Sequence, residues 1–171
     1  PLATFRGNNG PLCAGEEGLF YILASGSSTI TYSLNGSYSS IITPERPGIV
    51  RVTLPNLQTD MTLTLLSIEK NGCIQTYSGV SSTLTVYPLP TAGITGNNDP
   101  VCEGSDAEFY LTGTPDAVVI YSTDGGVSTS MVTLDNSGTA TVTVSNAMDN
   151  VTLSLLSVTD NAAKCSLTLT V

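Results

Sequence analysis

Four cysteines hold most of the covalent chemistry that this sequence offers: Cys13, Cys73, Cys102 and Cys165. Thiols that fold within reach of one another form disulfides, and four of them allow three pairings. Carboxylates are the second resource. Glu16 with Glu17, and Asp106 with Glu108, are close pairs of the type used in general acid–base work. Their surroundings read as a loop followed by the outward face of a strand, where solvated carboxylates are the ordinary outcome. The chain has no histidine. That removes the usual general base, the triads built on it and the usual zinc ligand sets, and no CxxC occurs. No helix is predicted, so no phosphate loop can precede one. The residues argue against an enzyme.

Calcium needs only clustered oxygens, and Asp99, Glu103 and Asp106 crowd one turn. They are candidate ligands, but Gly10 and Ala14 stand at the matching places of Asp99 and Glu103 in the first half of the chain. Acidic turns that only keep a surface soluble are the competing reading, so no cofactor is expected apart from this calcium candidate. Sugar binding would draw on aromatic platforms. Tryptophan is absent, and Tyr38, Tyr77 and Tyr87 are the candidate exposed rings. For Tyr77, packing against a neighbouring strand competes with ligand contact.

Net charge is −9 with five Lys and Arg in all. Such a surface repels phosphate backbones and anionic lipid headgroups, which excludes nucleic-acid partners. The charge is uneven. Residues 1–88 carry five acids and four bases, whereas residues 89–171 carry nine acids and one base. No apolar run approaches the roughly 20 residues that span a bilayer, so membrane insertion is not expected.

An internal repeat organises these residues. "GNNGPLCAGEEGLFY" (7–21) returns as "GNNDPVCEGSDAEFY" (96–110), 89 positions later. "ITYSLNG" (30–36) matches "VIYSTDGG" (119–126), and "MTLTLLSIEKNGC" (61–73) matches "VTLSLLSVTDNAAKC" (151–165). Self-similarity at a fixed period marks repeated structural units, here 1–88 and 89–171. Cys13 and Cys102 are then equivalent, as are Cys73 and Cys165. The simplest pairing is one bridge per unit, Cys13 to Cys73 and Cys102 to Cys165. Each would close a loop of about 60 residues and contribute on the order of 4 kcal/mol. Four reduced thiols in a reducing compartment are the alternative.

Short alternating runs broken by Gly, Asn and Asp point to an all-β fold of about seven strands per unit. Strands are predicted near 2–6, 19–25, 29–34, 38–43, 48–54, 61–69 and 81–87. In the second unit they fall near 91–95, 107–112, 117–123, 127–134, 138–145, 150–158 and 165–171. This count fits two immunoglobulin-like β-sandwiches in tandem. Tyr32 and Tyr121 are the rings expected near each bridge, and Phe20, Ile22, Phe109 and Leu111 should face inward. The doublets Leu65-Leu66 and Leu155-Leu156 break the alternation, which predicts a bulge. "IQTYSGV" (74–80) reads as about seven extra residues in the first unit.

"PVCEGSDAEFYLTGTP" (100–115), "VTLDNSGTATVTVSN" (132–146) and "VTLSLLSVTD" (151–160) resemble the immunoglobulin-like repeats of very large exported surface proteins of Bacteroidetes, the group containing the SprB-type gliding adhesin. The resemblance covers essentially the whole chain. It implies a repeat pair on the bacterial cell surface, extracellular, serving adhesion or gliding as a spacer, with further repeats of the same polypeptide as partners. The alternative is a module that binds a surface polysaccharide or protein.

Overall fold

Alternation decides which face each strand buries. From Gly18 to Ala24 every second residue is buried and the residues between are half-buried, with Phe20 and Ile22 sealed from solvent. The structure, a computed structural model, describes residues 1–169, and every regular element among them is a strand. The chain divides into two compact units, Pro1–Pro88 and the remainder from Leu89.

In the first unit the strands are β1 (Ala3–Asn8), β2 (Leu12–Cys13), β3 (Gly18–Ala24), β4 (Thr29–Leu34), β5 (Ser37–Ile42), β6 (Gly48–Leu54), β7 (Met61–Lys70), β8 (Cys73–Thr76), β9 (Ser81–Leu84) and β10 (Val86–Tyr87). One sheet runs β1-β3-β6 and the other β5-β4-β7-β8, with β9 also on β7, while β10 pairs with β2 in parallel. The second unit has β11 (Ala92–Asn97), β12 (Ser105–Gly113), β13 (Val118–Ser122), β14 (Ser130–Thr133), β15 (Thr139–Ala147), β16 (Ser154–Asp160) and β17 (Cys165–Thr168). Its sheets run β11-β12-β15 and β14-β13-β16-β17.

Each pair of sheets closes on one core. Phe20, Ile22 and Val52 from the first sheet meet Ile30, Leu63, Leu65 and Ile68 from the second. In the second unit Phe109, Leu111 and Val142 meet Val119 and Val158. Apolar faces of two antiparallel sheets packed together make a β-sandwich of the immunoglobulin-like kind. With no tryptophan available, Tyr32 fills the core position on β4, and Tyr121 packs half-buried on β13.

Both leucine doublets are bulges. Thr31 pairs with Ser67 and Tyr32 with Leu65, so Leu66 falls outside the ladder; likewise Ile120 pairs with Ser157 and Tyr121 with Leu155, skipping Leu156. The freed carbonyls find partners across the sheet. Leu66 O accepts the Tyr77 amide and Leu156 O accepts the Leu169 amide, each at 2.8 Å.

These bonds correct the reading of "IQTYSGV". It is not an insertion ahead of the last strand but the first half of that strand. Cys73–Thr76 pairs with Ser67–Lys70, the chain breaks register around Gly79 (φ +68), and β9 resumes against Met61–Thr64. In the second unit β17 is the counterpart of β8, since Leu169 bonds the bulge as Tyr77 does. Of the strand expected over 165–171, residues 170 and 171 lie outside the described residues.

Phe20→Ala removes a ring buried between both sheets of the first unit and is expected to cost about 3–5 kcal/mol. A urea titration should show a lower midpoint for that unit, and an unchanged midpoint would contradict the packing.

Candidate functional site

The repeated "GNN" explains itself in hydrogen bonds. Asn9 Oδ1 accepts the Leu19 amide at 2.7 Å, Asn9 Nδ2 donates to Glu17 O at 2.9 Å, and the Asn9 amide donates to Leu19 O at 3.1 Å. Asn98 repeats the set with the Glu108 amide, Asp106 O and Glu108 O at 2.9, 3.1 and 3.2 Å. A carboxamide offers both a donor and an acceptor, so it imitates a peptide group and adds a rung beyond the end of β1 or β11. The preceding Asn8 and Asn97 fold back to accept the Gly10 and Asp99 amides at 2.9 and 3.0 Å.

A tight turn follows and carries the first cysteine of each unit. The Glu16 amide donates to Cys13 O at 3.1 Å, and the Ser105 amide donates to Cys102 O at 2.9 Å. Gly15 (φ +93) and Gly104 (φ +81) sit in the left-handed region that disfavours other residues. Their amides anchor the turn to Leu57 O and Ala147 O. Cys13 is further paired with Tyr87 in β10, and Val86 beside it donates its amide to Asp60, the residue before β7, at 2.8 Å. Cys13 therefore lies at the pole where β7 begins.

The second cysteine lies at the other pole. Cys73 is opposite Lys70, the last residue of β7, across an Asn71-Gly72 hairpin turn with φ +52 and +78. β7 is ten residues long, so its ends are roughly 30 Å apart. Cys165 is opposite Asp160, the last residue of β16, whereas Cys102 shares a groove with Asn150 and Val151 just ahead of that strand. A disulfide requires Cα atoms within about 7 Å.

The expected bridges are thus corrected. Neither Cys13–Cys73 nor Cys102–Cys165 forms, because a full strand separates the partners, and Cys73 and Cys102 are exposed free thiols. Cys13 and Cys165, each taken by itself, are in the disulfide state. Tyr32 and Tyr121 are consequently core rings with no within-unit bridge beside them.

The three tyrosines fall into different environments. Tyr38 is 79% exposed on β5, an edge strand of its sheet. Tyr77 packs against the core, and its hydroxyl accepts the Ala3 amide at 2.6 Å, tying β1 to the end of β8. Tyr87 is partly exposed, with its backbone committed to β2. The structure does not gather them into one platform. Among the described residues, no group of three or more His, Cys, Asp or Glu is placed to hold a metal. Asp106 accepts the Asn146 amide at 3.0 Å. Asp99 and Glu103 line, with Cys102 and Asp149, an open groove of about 650 Å³.

Two further aspartates punctuate later turns of the second unit. Asp124 accepts from the Ser128 amide and hydroxyl and from the Ser122 hydroxyl, and Asp135 accepts from the Thr139 hydroxyl and the amides of Ser137 and Thr139. These donors favour the charged forms. The Ser128 hydrogen bonds hold the Asp124 carboxyl, and the Thr139 hydrogen bonds the Asp135 carboxyl, below the usual 3.8. A signal for them existed in the spacing "STDGGVS" and "LDNSGT", which suits Asx-type turns.

No family model and no curated protein matches the chain. Similar solved structures include a bacterial ice-binding adhesin of 1.5 MDa, described for host cell surface retention, at 17% identity and TM-score 0.42 over 96% of this chain. This chain spans 61% of that one. The fibronectin(III)-like modules of Clostridium thermocellum CbhA align at 12% identity and TM-score 0.35, covering 98% of this chain and 90% of theirs. The human OSCAR ligand-binding domain aligns at 12% identity and TM-score 0.34, covering 92% and 87%. Likenesses this distant say nothing of function, and the sandwiches are defined by their own strand pairings.

Two outcomes follow. Asn98→Ala removes two hydrogen bonds and is expected to destabilise the second unit by about 1–3 kcal/mol. Hydrogen exchange at the Glu108 amide should accelerate, and unchanged protection there would contradict the ladder. The lowered carboxyls stabilise the fold fully above pH 3.8, and this contribution is lost as pH falls through their lower folded values. Asp135→Asn should therefore flatten the acid limb of the melting-temperature profile, while an identical limb would contradict the assignment.

Proposed function

We propose that this chain is a non-catalytic structural pair from a bacterial cell-surface adhesin, extracellular and acting as a spacer within a longer array of such units. The observation that carries the reading is the course of the first unit. Its first strand starts at Ala3, paired with Ala24, and its last, β10, lies beside Cys13 at the opposite pole. A unit that begins at one pole and ends at the other adds its whole length to a filament. The resemblance to exported Bacteroidetes repeats supports the same reading and brings adhesion or gliding with it. Absence of histidine supports a non-catalytic role.

A second reading has one specific observation in its favour. Tyr38 and Ile42, 79% and 78% exposed, lie on edge strand β5. Exposed aromatic and aliphatic side chains on an unpaired edge suit contact with a polysaccharide or protein.

A glycan array followed by titration calorimetry separates the two. The spacer reading expects no saturable binding at millimolar sugar. Saturable binding that Tyr38→Ala abolishes would overturn it in favour of the binding module.

A further inference from the structure

Strand β5 (Ser37–Ile42) is the edge of its sheet, and among the described residues it pairs with β4 alone. The Asn35-Gly36 turn fixes which of its backbone groups are spent. Both residues have positive φ, +46 and +89, as a two-residue hairpin requires, so the flanking Leu34 and Ser37 form a hydrogen-bonded pair. Hydrogen-bonded and non-hydrogen-bonded pairs alternate from there. Ser37, Ser39 and Ile41 therefore turn their N–H and C=O groups to Leu34, Tyr32 and Ile30. Thr43 keeps the same phase, donating its amide to Ser28 O at 2.8 Å. The N–H and C=O groups of Tyr38, Ser40 and Ile42 point away from the sheet.

We propose that this edge is a homodimer interface, at which β5 of one copy pairs antiparallel with β5 of a second copy about a two-fold axis at Ser40. In that register Ser40 meets Ser40 of the second copy, and Tyr38 meets Ile42 at either end. Every outward residue of the strand then sits in a hydrogen-bonded pair that exchanges both backbone bonds. The side chains fit the same axis. Tyr38 and Ile42 are 79% and 78% exposed, each two residues from Ser40 on the same face, so the two-fold sets an aromatic ring beside a branched aliphatic chain twice over. A free edge by itself selects no partner. A strand whose side-chain pattern is its own complement selects a copy of itself.

Charge permits the contact. Ser37–Ile42 holds no charged residue and no proline, the devices that ordinarily keep sheet edges from pairing. The edge strand in the same place of the second unit is β14. It is four residues long, is soon followed by Asp135 and belongs to the half with nine acids and one base. Two copies repel one another there, so self-pairing is assigned to β5.

This goes beyond the spacer reading, which needs no contact between copies and stands if the inference fails. Its readout is association in the absence of sugar, so its failure and that of the glycan test are separate results. The test is sedimentation equilibrium of the 171-residue chain at rising concentration, with Cys73 and Cys102 first capped by iodoacetamide so that no disulfide joins copies. One strand pair is small beside the roughly 1,200–2,000 Å² of stable complexes, so a reversible monomer–dimer equilibrium is expected toward high concentration. Ser40→Pro removes an outward donor from each copy and no bond to β4. It should leave the thermal melt near the parent's and raise the dimer's dissociation constant roughly tenfold or more. Ser40→Ala keeps the amide and should dimerise as the parent does. In a Cys73→Ser, Cys102→Ser background, Ser40→Cys should cross-link to itself under oxidised glutathione, because the Cα atoms of a hydrogen-bonded pair are about 5.5 Å apart, whereas Ser37→Cys should not. A chain that is monomeric at every concentration, a dimer that survives Ser40→Pro, or cross-linking at Ser37 in place of Ser40 would overturn the proposal.

Discussion

One strand spans each unit and dictates where its chemistry can lie. β7 is flanked by β4 on one side and by β8 and β9 on the other, and it contributes Leu63, Leu65 and Ile68 to the core. β16 takes the same place in the second unit, between β13 and β17. Side chains that follow such a strand are carried to the far pole from those that precede it. The separation of the cysteines is a consequence of strand length, and no local rearrangement of a turn can undo it.

The bulge in that strand is the second constraint. By skipping Leu66, β7 shifts which residues face the core while leaving one carbonyl unpaired by the β4 ladder, and the Tyr77 amide takes it. Tyr77 then serves twice, since its hydroxyl receives the first strand's Ala3 amide. Tyr77 is thus a brace between the two sheets. At the opposite pole, Asn9 and Asn98 do comparable work with one side chain, finishing a ladder that the backbone has already left. Among the described residues, buried side-chain nitrogen and oxygen atoms all have hydrogen-bond partners, as a dry sandwich core requires.

Much of this was legible in the sequence, because period-two alternation and duplicated motifs report local geometry directly. Phe20, Ile22, Phe109 and Leu111 face inward as their spacing implies, and the leucine doublets mark both bulges. The alignment of "IQTYSGV" was misread because a strand that breaks and resumes looks like a strand preceded by an insertion. The cysteine pairing was misread for a different reason. Repetition establishes that Cys13 is equivalent to Cys102 and Cys73 to Cys165, but equivalence carries no distance. Only the three-dimensional run of β7 and β16 shows that members of one unit stand at opposite poles. Asn9 and Asn98 were visible as a repeated doublet whose purpose emerges only when β1 and β3, or β11 and β12, lie side by side.

The central claim is that each unit keeps its two cysteines a strand apart. Alkylation of the native, unreduced monomer, followed by proteolysis and mass spectrometry, tests it most directly. Label on Cys73 and Cys102 alone is the result this account requires. A peptide joining Cys13 to Cys73, or Cys102 to Cys165, would contradict it.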